Sequence, residues 1–514
     1  MKVFSNQMKL HEAPSTRRLI LVAAALTLTF VSSAHAAPQR PQSGTQKEAD
    51  PQEDTKRLQR AAEQGDREAQ FGLGLMYESG KGVVRDYTEA AKWYRLAAEQ
   101  GNADAQFALA YVSEIGRGVV LDYAEAIKWY GKAADRGDGA AQFNLGVMYA
   151  NGRGVSRDDA EAVKWFRLAA DQGRVEAQAN LGFAHAEGQG APQDHAEAVR
   201  WFRKAADQGY AIAEFHLGDM SARGEGIPQD YAEAVKWLRK AADQGYVLAQ
   251  YSLASFYANG LGVTQDDAEA GKWFRKAAEQ GYAGAQINLG DAYYRGRGVP
   301  QDYAESARWY RLAAEQGEAT AQLNLGVAHA RGEGVPQDHA KAVTWTRLAA
   351  EQGDRHAQFN LGVAYARGEG VPQDHAEAVT WYRLAAEQGD SQAQLSLGLA
   401  SRNGQGVPQD YVEAVAWLRK AADGGTVIAQ FNLGEMYALG QGVPQDLLEA
   451  HLWSNLAAAR APGTDQKTYA DARDTVAGKL TSLELAETQR RAREWMEAFE
   501  LRKQKDAPPI SISR

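Results

Sequence analysis

Eleven tryptophans, Trp93, Trp129, Trp165, Trp201, Trp237, Trp273, Trp309, Trp345, Trp381, Trp417 and Trp453, stand 36 residues apart along the chain. A strict period of this length means one supersecondary unit copied in tandem, each copy burying its apolar face against the next. It favours one elongated array over the several ordinary domains that 514 residues could otherwise hold. The copies are close. RGEGVPQDHAEAVTWYRLAAEQGD, from Arg367 to Asp390, returns at Arg331 to Asp354 with only Lys341 for Glu377 and Thr346 for Tyr382.

Each copy reads as two helices. In the third, Ala141, Leu145, Met148 and Tyr149 recur at helical spacing and give helix A an apolar face. Gly146 lies beside Leu145, and its position is Gly or Ala in every copy, small enough for a neighbouring helix to approach closely. The Gly152-x-Gly154 pair ends helix A and turns the chain. Asp158 opens helix B, and its counterparts recur in all eleven copies, followed three residues later by Glu in every copy except at Lys341. That pattern predicts an aspartate N-cap with a glutamate reaching back, both at the positive end of the helix dipole. Helix B then presents its Trp and an Ala-Ala pair to the core. A glycine at C′ closes it in the first ten copies, Gly101 through Gly425; the eleventh has Ala461.

The ends differ as capping units do. KRLQRAAEQGD, Lys56 to Asp66, matches only the end of a helix B. Past Gly463 the period is lost, and two helices are expected, one over about 465–478 and one opened by the capping box Thr481/Glu484 and carrying Leu483, Ala486, Trp495 and Phe499. The expected organisation is a signal peptide over 1–36, a disordered leader over 37–54, repeats over 55–461, capping helices over 462–505 and a frayed tail over 506–514. The leader is rich in Pro, Gln and charge. The signal peptide rests on Arg17-Arg18, the apolar run Leu19–Val31 and the cleavage signal Ala34-His35-Ala36. The run is shorter than the roughly 20 residues a membrane span needs. Export is expected, to the periplasm or out of the cell, with no transmembrane segment in the mature chain.

Removing residues 1–36, with their net +3, takes the charge from −9 to −12. An acidic protein repels nucleic acid and anionic membranes, so neither is an expected partner. The chain has no Cys, which excludes disulfides, thiolate zinc sites and cysteine nucleophiles.

Helix A's A-x-x-x-L-G-x-x-Y, the G-x-G-V loop, the D-Y-x-E-A that follows and helix B's W-Y-x-x-A-A resemble the Sel1-like repeat family, relatives of the tetratricopeptide repeats, over about Lys56 to Ala461. The resemblance implies an all-α fold, a right-handed α/α solenoid of eleven 36-residue helix-turn-helix repeats with a C-terminal helical cap. It also implies a scaffold that binds other proteins, with helix A lining the concave face. Bacterial members are often exported and act in envelope assembly, exopolysaccharide control or host interaction. A few cysteine-rich members are linked to penicillin binding or hydrolysis, a precedent that a chain without Cys does not support.

Motifs that suggest chemistry yield to architecture. A phosphate loop follows a strand and ends in G-K-[ST]; here a helix precedes the glycines. The Asp/Glu pairs recur at helix starts, where capping explains them better than acid–base work. His195, His339 and His375 stand where other copies have Tyr, as do His185 and His329 on helix A, and no H-E-x-x-H occurs. No catalytic residue, metal or cofactor is expected.

Function is better sought where the copies differ. On helix A the positions equivalent to 140, 144, 147 and 151 form a stripe away from the apolar face. The second is Asn144, Asn180, Asn288, Asn324, Asn360 and Asn432 in six copies, and the fourth is Arg223, Arg295, Arg331 and Arg367 in four. Early copies place Leu75, Tyr111, Ile115 and Phe183 there. Asn amides can hold an extended peptide backbone and Arg can fork a carboxylate. The expected function is therefore a non-catalytic exported scaffold binding a protein or peptide in this groove. The alternative is an envelope enzyme or peptidoglycan-binding factor.

Overall fold

The computed structural model describes residues 51–463 and 465–506. The expected signal peptide and the final tail residues lie outside them. Among the described residues the chain is all-α, with 25 helices, and it divides at Gln265/Asp266 into two compact units. The first unit holds an initial helix, five complete repeats and helix A of the sixth. The second holds helix B of the sixth repeat, five more repeats and the C-terminal helices. Within each unit, successive helices pack as an α/α solenoid.

The third repeat shows the pattern. Helix A runs Gly139–Asn151 and helix B Asp159–Asp171. A Cβ on Gly146 would stand 2.7 Å from the Phe166 ring, and one on Gly362 2.6 Å from Tyr382. In these repeats the missing side chain lets helix B's aromatic lie directly against helix A's backbone; the second repeat buries Tyr130 as fully beside Ala110. The loop glycines have two separate reasons. Gly368 takes a left-handed C-cap, φ 71°, and ends helix A of the ninth repeat. Gly370 lies against the start of the preceding repeat's helix B, where a Cβ would overlap the His339 carbonyl. The G-x-G is a turn.

Helix B opens as expected on its aspartate. Asp374, for example, accepts from the N–H groups of Ala376 at 2.9 Å and Glu377 at 3.0 Å. The glutamate does not reach back, which corrects the capping-box reading. The N–H of Asp374 already donates to the Tyr365 carbonyl of helix A, at 2.9 Å, and this bond recurs in other repeats, as from Asp158 to Tyr149. With that donor taken, Glu377 accepts from the Trp381 indole N–H at 3.0 Å, as Glu233 does from Trp237 at 2.9 Å. At Thr481 the N–H instead donates to the Glu484 carboxylate at 2.8 Å, and the box closes.

The tryptophans pack backwards. Trp201 joins the cluster of Phe166 and Ala169, Trp237 that of Phe202 and Ala205, and Trp417 that of Tyr382 and Ala385. The residue at the fixed period thus joins one repeat to the one before it.

A second periodic bond was invisible to apolar patterning. Ten buried glutamines of helix A, from Gln70 to Gln430, donate through Nε2 to the carbonyl of the alanine eight residues earlier, at 3.0–3.2 Å. In six repeats the same side chain accepts from a glutamine ending helix B, as Gln142 does from Gln172 at 2.8 Å. A buried amide satisfied on both sides fixes the spacing of three helices.

The first helix, Pro51–Glu63, begins inside the stretch read as leader. It occupies a helix B place, with Leu58 and Ala62 against Leu73 and Trp93. At the other end, helices Asp465–Ala477 and Ser482–Asp506 pack on helix B of the eleventh repeat, with Val476, Ala492, Trp495 and Met496 around Trp453 and Leu456.

Candidate functional site

The stripe on helix A is set by what the rest of the helix is committed to. Its apolar face is in the core and its glutamine is in the interhelical bonds above. The fourth stripe position is the most open: Arg223, Arg295, Arg331 and Arg367 are all exposed. Three have nearby carboxylates, Asp219 at 3.1 Å from Arg223, Glu333 at 3.8 Å from Arg331 and Glu369 at 3.6 Å from Arg367. Exposed pairs of this kind contribute only about 0–1 kcal/mol, so a partner carboxylate competes for these guanidinium groups at little cost. Arg331 also donates to the Tyr294 hydroxyl of the preceding repeat, at 3.3 Å.

The second position is less open. Asn180 is buried and donates to the Glu176 carbonyl at 2.8 Å. Asn144 donates to the Tyr130 hydroxyl at 3.0 Å. Asn432 donates to the Ile428 carbonyl at 2.8 Å and accepts from Arg402 at 2.6 Å. Asn288, Asn324 and Asn360 are half-buried. Amides bonded to their own helix or a neighbour have less to give a ligand, so in these repeats the opening is carried by the fourth position.

Sequence reasoning missed the bonds that the helix B tyrosines make to helix A. Their rings and hydroxyls are both buried, and the hydroxyls bond to polar side chains of helix A. Tyr94 donates to Glu78 at 2.5 Å, Tyr130 to Glu114 at 2.9 Å, and Tyr310 to Asp291. Burial, then the carboxylate bond, pushes the hydroxyls of Tyr94 and Tyr310 far above their ordinary range, so they remain donors. Tyr111, half-buried, lies near enough to Tyr130 to influence its ionisation. The only sequence signal was a hydroxyl on a residue otherwise read as core.

The two units carry opposite charge on this stripe. In the first, Glu68, Asp104, Glu176, Glu187 and Asp219 occupy it, with Arg223 as the cation; in the second, Arg295, Arg331 and Arg367 do, with Asp291, Glu435 and His356.

In the fifth repeat the asparagine place is taken by His216. Its ring stacks on Phe202, centroids 5.3 Å apart, and meets Phe183 and Phe215 edge-on at 4.6 and 5.0 Å. Burial, helped by the Arg223 charge, pulls the imidazole pKa down to about 4. Because the unfolded chain takes up this proton first, the histidine's contribution is whole above pH 6.5 and is lost as pH falls towards 4. At pH 5 the loss comes to about 2 kcal/mol. Urea unfolding of the His216→Asn variant should show a flatter stability profile between pH 4 and 6.5 than the parent chain. Parallel profiles would remove His216 from the account.

Helix pairs repeated at a fixed period, joined through a tryptophan in each repeat and a glutamine in ten of the eleven, and presenting a variable stripe, define a helical-repeat solenoid of the scaffold type. The Sel1 repeat model matches residues 67–102, 103–138, 139–173, 175–210, 211–246, 247–282, 283–318, 319–354, 355–390, 391–426 and 427–461. The chain belongs to the Sel1 repeat family. It is similar to a protective antigen of uropathogenic Escherichia coli with an SLR fold, at 39% identity over 90% of this chain and 99% of that one, TM-score 0.76. A Sel1 repeat protein from Oxalobacter formigenes is 37% identical over 63% of this chain and 96% of that one, TM-score 0.51. No curated protein matches the chain. Among the described residues, no helix is long and apolar enough to cross a membrane, and no group of three or more His, Asp or Glu could hold a metal ion.

Proposed function

We propose that this protein is a non-catalytic scaffold that binds a protein or peptide along the exposed stripe of helix A, in the cell envelope or outside the cell. One observation carries the reading: the residues constant across the repeats are taken up by capping, packing and interhelical bonds, whereas the varying residues of helix A stand on one stripe that is open at its fourth position. The second unit's Arg295, Arg331 and Arg367 favour an acidic segment of the partner. Tyr111, Phe183 and the half-buried asparagines supply apolar and amide contacts. Export rests on the n-, h- and c-region order of residues 1–36, and a role in envelope assembly or regulation rests on the family resemblance.

The test is crosslinking in the cell with a photoreactive residue beside Arg331, in the parent chain and in the triple variant Arg295→Glu, Arg331→Glu, Arg367→Glu. Three lost contacts of about 1 kcal/mol each weaken binding about 100-fold, and the specific adduct should vanish. An undiminished adduct would overturn the assignment of this stripe, and robust amidase, lactamase or glycosidase turnover by the purified protein would overturn the scaffold reading itself.

A further inference from the structure

Helix B also has an exposed face, and its chemistry changes along the array. In the first seven repeats the residue before each tryptophan is a cation: Lys92, Lys128, Lys164, Arg200, Lys236, Lys272 and Arg308. Several are paired one turn back, such as Lys164 with Glu161 at 2.7 Å and Lys236 with Glu233 at 3.0 Å. Three residues after the tryptophan, five repeats carry a second lysine, whose ammonium lies 3.8–4.0 Å from the centre of the indole ring. The second lysine covers the indole, and together the two cations keep this face wet.

The eighth and ninth repeats lose both. They read Thr344-Trp345 with Leu348, and Thr380-Trp381 with Leu384; the seventh adds Leu312. Leu312, Leu348 and Leu384 are 37%, 40% and 40% exposed. The threonine hydroxyls already donate to Ala340 and Ala376 in their own helices, at 2.9 and 3.1 Å. Two successive helices of the second unit therefore present Trp and Leu with no cation over them, and the seventh repeat extends the strip through Leu312 alone, its Trp309 lying under Arg308 at 5.2 Å.

The eleventh repeat shows what such a face takes. It too lacks both cations, with Leu452 before Trp453 and Leu456 after it. There the leucines are 5% and 1% exposed, covered by the C-terminal helices through Val476, Ala492, Trp495 and Met496. Trp495 meets Trp453 edge-on, centroids 6.3 Å apart, and Arg491 anchors the covering helix to Glu449. The same register, when stripped of its lysines, is a helix-docking surface within this molecule.

We propose that the Leu312–Leu348–Leu384 face, with Trp345 and Trp381, docks an amphipathic helix of a partner protein, one with Ala, Trp and Met on its apolar side like the chain's own C-terminal helix. This surface is separate from the helix A stripe, and the two can be lost independently. The probe is a fluorescent peptide of residues 482–503, titrated against the full chain and against the double variant Leu348→Lys, Leu384→Lys. Lysine is native at this register in five repeats, so the variant should keep the parent's circular dichroism and unfolding midpoint. Binding to the parent chain and at least tenfold weaker binding to the variant is the result expected. No binding, or equal binding to both, which would place the peptide on the eleventh repeat, overturns the proposal. So does sedimentation showing a dimeric parent chain and a monomeric variant, because the face would then be covered by a second copy.

Discussion

Trp129→Ala is expected to remove about 3–5 kcal/mol of local stability, the usual cost of truncating a large buried aromatic. Trp129 is 2% exposed and lies in one cluster with Tyr94, Ala97 and Ala98 of the preceding helix B and Leu109 and Val112 of its own helix A. Its indole N–H donates to Glu125 at 3.2 Å, and Glu125 also accepts from Arg95 of the preceding repeat at 2.6 Å. Truncation therefore opens a cavity and loosens the acid that ties two repeats together. In a stack where each unit touches only its neighbours, the damage stays local. Hydrogen exchange should show lost protection over residues 87–134, with residues 391–423 unchanged. Uniform loss along the chain would mean that the array unfolds as one cooperative block, and loss below about 1 kcal/mol would show that the tryptophan is not the joint between repeats.

The repeat, its helices, the aspartate caps and the small residue beside the helix A leucine were legible because each leaves a mark at fixed spacing in apolar, Gly or Asp residues. What escaped was polar and interhelical. Gln142 reads in sequence as a surface residue, because nothing local announces that an alanine carbonyl and a second glutamine will meet it across two helix junctions. Glu377 fits a capping box by spacing, and only the packing of helix A on helix B shows that the donor it needs is already engaged. The stripe was legible as a set of positions, but not in its depth. Arg331 and Arg367 stand in the open, whereas Asn180 is buried against its own backbone, a difference set by how neighbouring repeats close over the second position. The exposed face of helix B was overlooked for a related reason. Leu348 and Leu384 belong to the repeating pattern, and their significance comes from the lysines that other repeats carry in their place.

Gly370→Ala is expected to cost about 2–5 kcal/mol, from about 1–2 for a Cβ in the left-handed region and about 1–3 for forcing apart backbones already in contact. Gly370 has φ 76°, and a Cβ there would overlap the carbonyl oxygen of His339, the first residue of the preceding repeat's helix B. Gly353 is the control. Its φ is 92° and nothing lies within 4 Å of where its Cβ would stand, so Gly353→Ala carries the conformational cost alone, about 1–2 kcal/mol. The difference between the two variants, read as local opening free energies from hydrogen exchange over 339–387, isolates the contact between loop and neighbouring helix. If the two cost the same, the loop does not touch the helix and its second glycine needs another explanation. If Gly370→Ala costs more, the feature most easily mistaken for a phosphate loop is a spacer. Its backbone is already pressed against another backbone, which leaves that side of the turn no room for a ligand.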